Sequence, residues 1–431
     1  MLRPGDPAPP ALPDDAPGHP PSFDAWPYRL RFAIDRPSYA GAVVFDAAVF
    51  DDPAAVFDGG AALWAPWSDM GCEVAGAELV AGDPDPTFGA VAVSRVAVTL
   101  VNRAGRWSTR AGDGRLVWWP IGRRVRVWAE RRDGTAVAWL AAGRVSRWEE
   151  RADTVEVEVV DWIAQLADRD AELNEPPSYA RVTEHVAWAV DNLAPDAAPA
   201  LADGDYLSYP PIVKTNPEPG HTAADDMHRS AFSSSCHVIA EPSGRCRVLA
   251  RRWWLADTRP GQPRRWMFDT TGGAGICAGL PDGVDYDDEL LATRVVIEST
   301  AHGERVAQDD ELAAQIGRVY EFRYPFTTRQ GLAADVDTAA ADVLAARSVN
   351  RATVALVVPV WPPADGLPWD DGLPDVLDVR VADTVTVRVT VATMTGPVTV
   401  DMPGHVWTVE HDVTADQHVA RITCTITVPG G

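Results

Sequence analysis

Two groups of histidine and carboxylate side chains are the parts of this sequence whose chemistry could bind a metal ion. In the first group, His221, Asp225, Asp226 and His228 fall within eight residues. On a helix, His221 would share a face with Asp225, as would Asp225 with His228, but two ligands on a face do not fill a coordination sphere. Thr222 is a good N-cap, and Asp225 would stand three residues later, where a carboxylate completes a capping box. The pattern favours a helix start over a metal site.

The second group is a denser acidic run that follows Pro281. Oxygen ligands suit calcium, but the EF-hand spacing with its central glycine and terminal glutamate is absent. The run therefore favours a solvated loop, and whether it binds a cation is left open by the sequence. Asp83-Pro84-Asp85 is a weaker candidate of the same kind. The residues of the run are Asp282, Asp285, Asp287, Asp288 and Glu289.

Hydrolytic chemistry has little support in the sequence. Gly-x-Ser-x-Gly and His-Glu-x-x-His are both absent. Cys236 and His237 are neighbours, but on a strand they point to opposite faces. Carboxylate pairs such as Glu149-Glu150 and Asp309-Asp310 are expected by chance in so acidic a chain. We therefore predict that the protein is not an enzyme and that it has no catalytic, cofactor-binding or metal site and no cofactor. A hydrolase with dispersed site residues ranks third among the possible functions, after the two described below.

The cysteines give no sign of a disulfide framework. Their number is odd and their spacing is scattered, which favours a reduced interior. A loop centred on Pro242-Ser243 would place Cys246 opposite Ile239 and Cys236 opposite Leu249, so these two would not meet. The five are Cys72, Cys236, Cys246, Cys277 and Cys424.

The charge balance excludes several partners. The chain has 38 basic and 62 acidic residues, a formal net charge of −24. Nucleic-acid binding needs clustered Lys and Arg, and anionic membrane surfaces repel acidic proteins. We therefore expect no specific nucleic-acid binding. No apolar window is long enough for a membrane span, and the N-terminus lacks the apolar run of a signal peptide.

Residues 91–166 show the clearest secondary-structure pattern. Val96, Val98 and Leu100 alternate with small or polar residues, as on a half-buried strand, and Val125 and Val127 do the same. A turn at Arg132-Asp133-Gly134 predicts a return strand over Thr135–Leu140, and Gly143-Arg144-Val145 is expected to start another hairpin. Its second arm carries Val155, Val157 and Val159. Asp161 is placed to cap the helix that follows.

This order of elements resembles the first β-barrel domain of bacteriophage tail hub proteins, the ring-forming components of the tail tip that also occur in contractile injection machines. Three later segments strengthen the resemblance. The first is a helix with Met227, Ala231 and Phe232 that runs into a hairpin, Cys236–Ala240 and Arg245–Leu249. The second leads from Asp309-Asp310 through a strand start at Gly317-Arg318 to a helix over Leu332–Arg347. The third is the C-terminal pair of strands, Gly404–His411 and Ile422–Val428.

The resemblance implies the fold class: α+β and β-rich, phage tail hub-like, with several small antiparallel β-barrel-like domains and a few short helices. Further helical spacing occurs over Val182–Leu193, and alternation resumes at Val385–Val391. We predict five segments: a Pro-rich arm (1–27), a first β-barrel hub domain (28–180), mixed α/β middle domains (181–330), a connector of helix, strand and Pro-rich loop (331–375) and a small C-terminal β-barrel (376–431).

The resemblance also implies a function. A tail hub would be a structural virion protein at the tail tip, assembled in the host cytoplasm as a homotrimeric ring that closes the tail tube. Its implied partners are a distal tail or tail tube protein, the tape measure protein and a central fibre or spike.

The alternative is a carbohydrate-binding, adhesin-like minor tail protein. It rests on the 17 tryptophans, which could present aromatic platforms at the adjacent pairs Trp118-Trp119 and Trp253-Trp254 and at Trp361-Pro362-Pro363. In an adjacent pair on a strand, at most one ring can face the core, and the other must meet solvent, a subunit or a ligand.

Overall fold

The structure is a computed structural model. It describes residues 28–34, 68–69, 74–82, 94–102, 107–110, 112–114, 116, 118–131, 137–169, 189, 198–202, 221–233, 236–250, 266–273, 275–280, 282–285, 291–325, 327–328, 332–348, 351–362, 375–414 and 416–427. Over these residues the fold is β-rich with four helices, as the sequence predicts.

The N-terminal strand set is an antiparallel sheet in the order β3-β4-β7-β6-β5-β1-β2. Alternation decides which side chains it buries: Val96, Val98 and Leu100 of β4 lie in the core while Arg95 and Ala97 are exposed, which confirms the predicted pattern. Its strands are β1 (Tyr28–Ile34), β2 (Ser68–Asp69), β3 (Val74–Gly82), β4 (Arg95–Val101), β5 (Arg124–Arg131), β6 (Val137–Glu150) and β7 (Thr154–Val160).

The hairpin expected from Gly143 is confirmed as the antiparallel pair β6–β7, but its first arm does not start at this residue, because β6 runs through it as one strand of 14 residues. Its first part pairs with β5 and its second part with β7, and Arg144 has a partner on both sides. The backbone of Val160 passes so close to Gly143 that a Cβ there would overlap the Val160 carbonyl oxygen. The glycine marks a close approach between strands and not a turn.

Asp161 caps helix α1 (Trp162–Ala167), as predicted. Its buried carboxylate accepts hydrogen bonds from the backbone nitrogens of Ile163 at 2.9 Å and Ala164 at 3.2 Å. It also accepts one from Ser94 N at 2.7 Å, which ties the helix start to the residue before β4. One side chain therefore satisfies backbone donors from two elements.

We expect Asp161→Ala to lower the free energy of unfolding by about 2 kcal/mol or more, because the backbone donors it serves lose their acceptor. Urea unfolding at pH 7 measures this loss. Thr338→Ala is the control: it removes one exposed hydroxyl that donates to Ala334 O at 2.8 Å, and should change stability by about 0.5 kcal/mol at most. Equal effects in the two variants would contradict the assigned role of Asp161.

The C-terminal strand set is built around β19, which pairs with β18 along its first part and with β20 and β3 along its last part. The β3 pairing joins the two strand sets into one sheet. An isolated bridge between Gly279 and Val357 connects the segment after β12 to β17. The strands are β11 (Trp266–Asp269), β12 (Ile276–Cys277), β13 (Val284–Asp285), β17 (Arg351–Trp361), β18 (Thr384–Thr393), β19 (Gly396–Thr414) and β20 (His418–Thr427).

The two strand sets share one hydrophobic core, which contains residues of both. At their junction lies a chain of three buried polar side chains. Tyr28 Oη of β1 is 2.7 Å from His418 Nδ1 of β20, and His418 Nε2 is 3.0 Å from His411 Nδ1 of β19. All three residues are less than 5% exposed. The hydrogen bonds between them satisfy polar groups that would otherwise be costly to bury.

Two small three-stranded sheets complete the fold. In the first, β8 (Ala198–Ala202), β10 (Arg245–Ala250) and β9 (Cys236–Ala240) lie beside helix α2 (Ala223–Ser233). The predicted helix and hairpin are confirmed, but the register differs by one residue, with Cys246 opposite Ala240 and Cys236 opposite Ala250. Neither cysteine forms a disulfide, so the prediction that they do not pair with each other is confirmed.

The second small sheet consists of β15 (Gly303–Gln308), β14 (Arg294–Ser299) and β16 (Glu321–Arg323), with helices α3 (Asp310–Ile316) and α4 (Ala333–Ser348). The predicted helix over Leu332–Arg347 is confirmed as α4, and Val336, Ala340 and Val343 are buried on its inner face. The strand start expected at Gly317-Arg318 is wrong. Gly317 is instead the left-handed C-cap of α3, with φ of 76°, and β16 starts at Glu321.

The five-segment division stays a prediction. Sheet pairing crosses its last boundary, because β17 pairs with β20. Outside the described residues lie the arm (1–27), almost all of the helix predicted over Val182–Leu193 and the weaker cation candidate Asp83-Pro84-Asp85. No helix in the described part of the chain is long and apolar enough to cross a membrane.

Candidate assembly surface

The described residues of 107–124, here called the tryptophan loop, present an anchored and exposed apolar surface of the N-terminal strand set; they are 107–110, 112–114, 116 and 118–124. Asn102, which is buried, fixes the start of the loop: its Oδ1 accepts from Trp107 N at 2.9 Å and its Nδ2 donates to Ser108 Oγ at 3.2 Å. Trp107 and Trp118 are both buried, and Trp118 Nε1 donates to Ser108 O at 3.1 Å. These contacts anchor the loop on the sheet.

The outer side of this loop is apolar. Trp119 is 58% exposed, Leu116 50% and Ile121 37%. Trp118, by contrast, is 3% exposed and packs edge-to-face on Trp148, with ring centroids 5.0 Å apart. The prediction that one ring of this pair faces the core and the other does not is confirmed, although the pair lies in a loop and not in a strand. Three large exposed apolar side chains on one anchored loop are typical of a protein contact surface.

The tryptophan loop is also basic. Its described residues carry three arginines and one aspartate, a formal charge of +2 in a chain whose net charge is −24. Arg123 Nε donates to Trp119 O at 3.0 Å, and Arg110 Nη1 donates to Gly114 O at 2.8 Å. Both arginines are held by loop carbonyls, which places cationic groups beside the apolar side chains.

A second exposed surface, residues 309–321 with Val306, is here called the acidic turn. It contains helix α3, all seven residues of which are described and none of which is buried. Ile316 is 38% exposed, Val319 50% and Val306 47%. Residues 309–321 contain four acidic residues and one arginine, a formal charge of −3. This surface therefore combines exposed apolar groups with negative charge.

The acidic turn is rigidly attached despite its exposure. Asp309 caps α3 by accepting from Leu312 N at 2.9 Å, and Gly317 N donates to Ala313 O at 2.9 Å. Thr293, next to β14, holds both ends: its carbonyl accepts from Asp309 N at 2.8 Å and its hydroxyl from Tyr320 N at 3.0 Å.

The fold has a counterpart among solved structures. The crystal structure of the tail protein from Neisseria meningitidis MC58 aligns with a TM-score of 0.55 at 12% identity, over 93% of this chain and 96% of that chain. The chain has the fold of that tail protein. The resemblance to phage tail proteins is thereby confirmed at the level of the fold.

Two other solved structures align with lower scores. The 43 kDa tail protein of prophage MuSo2 from Shewanella oneidensis gives a TM-score of 0.48 at 11% identity, over 92% of this chain and 96% of that one. A type VI secretion system component of E. coli, described as similar to T4 bacteriophage tail proteins gp27 and gp5, gives 0.42 at 9% identity, over 83% and 74%. No protein-family model and no curated protein matches this sequence.

In this tail-protein fold, Asp225 of the histidine and aspartate group forms a capping box with Thr222 at the start of α2. Thr222 Oγ1 accepts from Asp225 N at 3.2 Å, and Asp225 Oδ2 accepts from Thr222 N at 3.0 Å. Asp226 and His228 point into the interior, where the His228 ring lies 6.1 Å from His237 and 6.5 Å from Tyr324. The favoured interpretation, a helix start, is confirmed.

The other sequence candidates are dispersed. Asp282 and Asp285 are exposed, whereas Asp287, Asp288 and Glu289 lie outside the described residues. Cys236 and His237 are both buried, and the neighbouring Glu149 and Glu150 bind Arg147 and Thr109 N, respectively. Among the described residues, no three His, Cys, Asp or Glu side chains form a group that could hold a metal ion.

Sequence reasoning missed two features of this tail-protein fold. The Trp118-Trp119 pair pointed to the tryptophan loop, but the exposure of Leu116 and Ile121 beside it was not predicted. A count of charge in short windows would have found the basic character of the loop. The chain of Tyr28, His418 and His411 has no such signal, because its first two members are 390 residues apart.

Proposed function

We propose that this protein is a structural, non-enzymatic component of a phage-type tail, a tail-tip hub that forms a homotrimeric ring. The supporting observation is the fold shared with the Neisseria tail protein over nearly the whole of both chains. The ring would close the tail tube and join it to a central fibre or spike. Its location would be the virion tail tip, after assembly in the host cytoplasm.

The sheet architecture supports a ring-forming role. Each chain contributes two strand sets, and β3–β19 pairing with a common core makes them one unit. Three such chains would place six strand sets around an axis, which would match a hexameric tail tube above and a threefold fibre below. The other partners would be a distal tail or tube protein and the tape measure protein.

The charge of the chain fits a channel through which DNA passes without being held. A net charge of −24 repels phosphate, and binding of nucleic acid requires clustered cations. The tryptophan loop is basic in this otherwise acidic chain, but it also exposes apolar side chains, as is typical of protein contacts.

The molar mass of the full chain in solution tests the proposal. We expect light scattering after size exclusion, at micromolar and higher concentrations, to give about three times 46.5 kDa. A monomer at every concentration would count against a self-assembling ring. It would favour the carbohydrate-binding alternative, for which a glycan array with wild type and Trp119→Ala is the next measurement.

A further inference from the structure

We propose that the tryptophan loop of one subunit docks on the acidic turn of the next copy of this chain. The inference rests on the proposed ring and specifies the surfaces that would close it. A ring needs a heterologous interface, in which two different patches of the same chain face each other. The structure presents two such patches of opposite charge, each with exposed apolar side chains.

The apolar parts of the two surfaces match in kind. The tryptophan loop exposes Trp119, Leu116 and Ile121, and the acidic turn exposes Ile316, Val319 and Val306. A few fully buried side chains at the centre of a contact, tryptophan prominent among them, supply most of its binding energy, and the apolar groups around them exclude water. Helix α3 has no buried residue among its seven, all described, so a partner would give it the apolar contact that its own fold does not.

The charges of the two surfaces are complementary. Formal charges of +2 on the described residues of the tryptophan loop and −3 on the acidic turn attract each other, whereas two acidic surfaces of this chain would repel. Arg110 is exposed on the loop, and Asp310 and Glu311 are exposed at the start of α3. The opposite charges of the two surfaces therefore favour a second copy of the chain as the partner, with the tryptophan loop of one copy bound to the acidic turn of the other.

Both surfaces are preformed. The loop is anchored by the buried Asn102, Trp107 and Trp118, and the turn is held by Thr293 at both ends. Docking of anchored surfaces orders fewer groups than docking of unanchored ones, so less of the contact energy is lost on association.

Charge reversal on each side, and then on both, tests the pairing by molar mass across a concentration series. We expect Arg110→Glu with Arg123→Glu to raise the midpoint concentration for assembly by about tenfold or more, and Asp310→Arg with Glu311→Arg to do the same. The chain that carries all four substitutions restores opposite charges and should assemble at concentrations close to those of wild type.

Matched controls separate assembly from folding. Trp119→Ala should weaken assembly, whereas Met394→Ala, at a fully exposed apolar residue elsewhere, and Arg421→Glu, at an exposed arginine of β20, should leave it unchanged. Circular dichroism melting of each variant checks the fold.

A wild-type chain that is itself monomeric would overturn the ring and this interface together. A trimer that persists in both reversed variants, or a fourfold variant that is not rescued, would overturn the interface alone.

Discussion

Gly143→Ala is expected to destabilise the protein by about 3 kcal/mol or more, one of the two largest effects that we predict. A Cβ at this position would overlap the carbonyl oxygen of Val160 and lie 2.7 Å from its carbonyl carbon and 3.1 Å from Asp161 Cα. These are backbone atoms of β7 and of the α1 cap, and β6 is hydrogen-bonded on both sides near this residue. The neighbours can move only if the sheet or the cap is disturbed.

Gly112→Ala is the matched control, because a Cβ at that loop position meets no atom within 4 Å. We expect its free energy of unfolding to differ from wild type by about 1 kcal/mol at most. Urea unfolding midpoints of the three proteins, measured under one condition, provide the comparison. Similar midpoints for Gly143→Ala and wild type would show that the strands can separate at this point without cost.

The second large effect is a loss of stability in acid that comes from the buried histidines. Burial lowers the pKa of His411 to about 4, and burial together with the nearby His411 ring holds the pKa of His418 well below its usual range. The unfolded chain binds a proton at each histidine near pH 6.5, whereas the folded chain takes up the His411 proton only near pH 4. The contribution of the neutral histidines to the stability of the folded state is therefore complete above pH 6.5, and it is lost as the pH falls towards 4.

For His411 alone this loss amounts to about 3 kcal/mol between pH 7 and pH 4. Asp161 acts in the opposite direction, because burial raises the pKa of its carboxyl to about 6 and the folded chain then binds that proton more readily than the unfolded one. The raw pH dependence of wild type therefore mixes opposing contributions. The quantity to measure is the difference between wild type and His411→Gln.

Urea unfolding of both proteins at pH 7, 6, 5 and 4 gives this difference. Between pH 7 and pH 4, the free energy of unfolding of wild type should fall by about 3 kcal/mol more than that of His411→Gln. Tyr28→Phe is the control: it removes the hydroxyl that contacts His418 but keeps both imidazoles, so we expect a lower stability at pH 7 and most of the wild-type acid loss. Parallel curves for wild type and His411→Gln would contradict the buried, neutral state of His411.

The sequence predicted the elements whose side chains follow a regular period. Val96, Val98 and Leu100 alternate as the core of β4 requires, and Val336, Ala340 and Val343 recur at the spacing of the buried face of α4. The caps at Asp161 and Thr222 were predictable for the same reason, since a capping side chain acts on its own next turn. Local rules are enough where the interaction is local.

What the sequence did not predict depends on contacts between distant residues. The continuity of β6 through Gly143 follows from the approach of Val160, and the β9–β10 register follows from packing that a turn pattern does not specify. The pairing of β3 with β19 joins residues more than 300 positions apart, and no short window carries its signal. The candidate surface was predictable only in part. The Trp118-Trp119 pair identified the loop, but the exposure of Leu116 and Ile121 depends on how the whole chain folds.

Strand β19 has a mechanical consequence. It is a single covalent run of 19 residues that is hydrogen-bonded to β18 at one end and to β3 and β20 at the other. A force applied to the C-terminal strand set is therefore transmitted to the N-terminal strand set along this extended backbone. An extended strand can lengthen very little, whereas a flexible linker could lengthen considerably. Tension at one end of the molecule reaches the other as a displacement of the whole sheet.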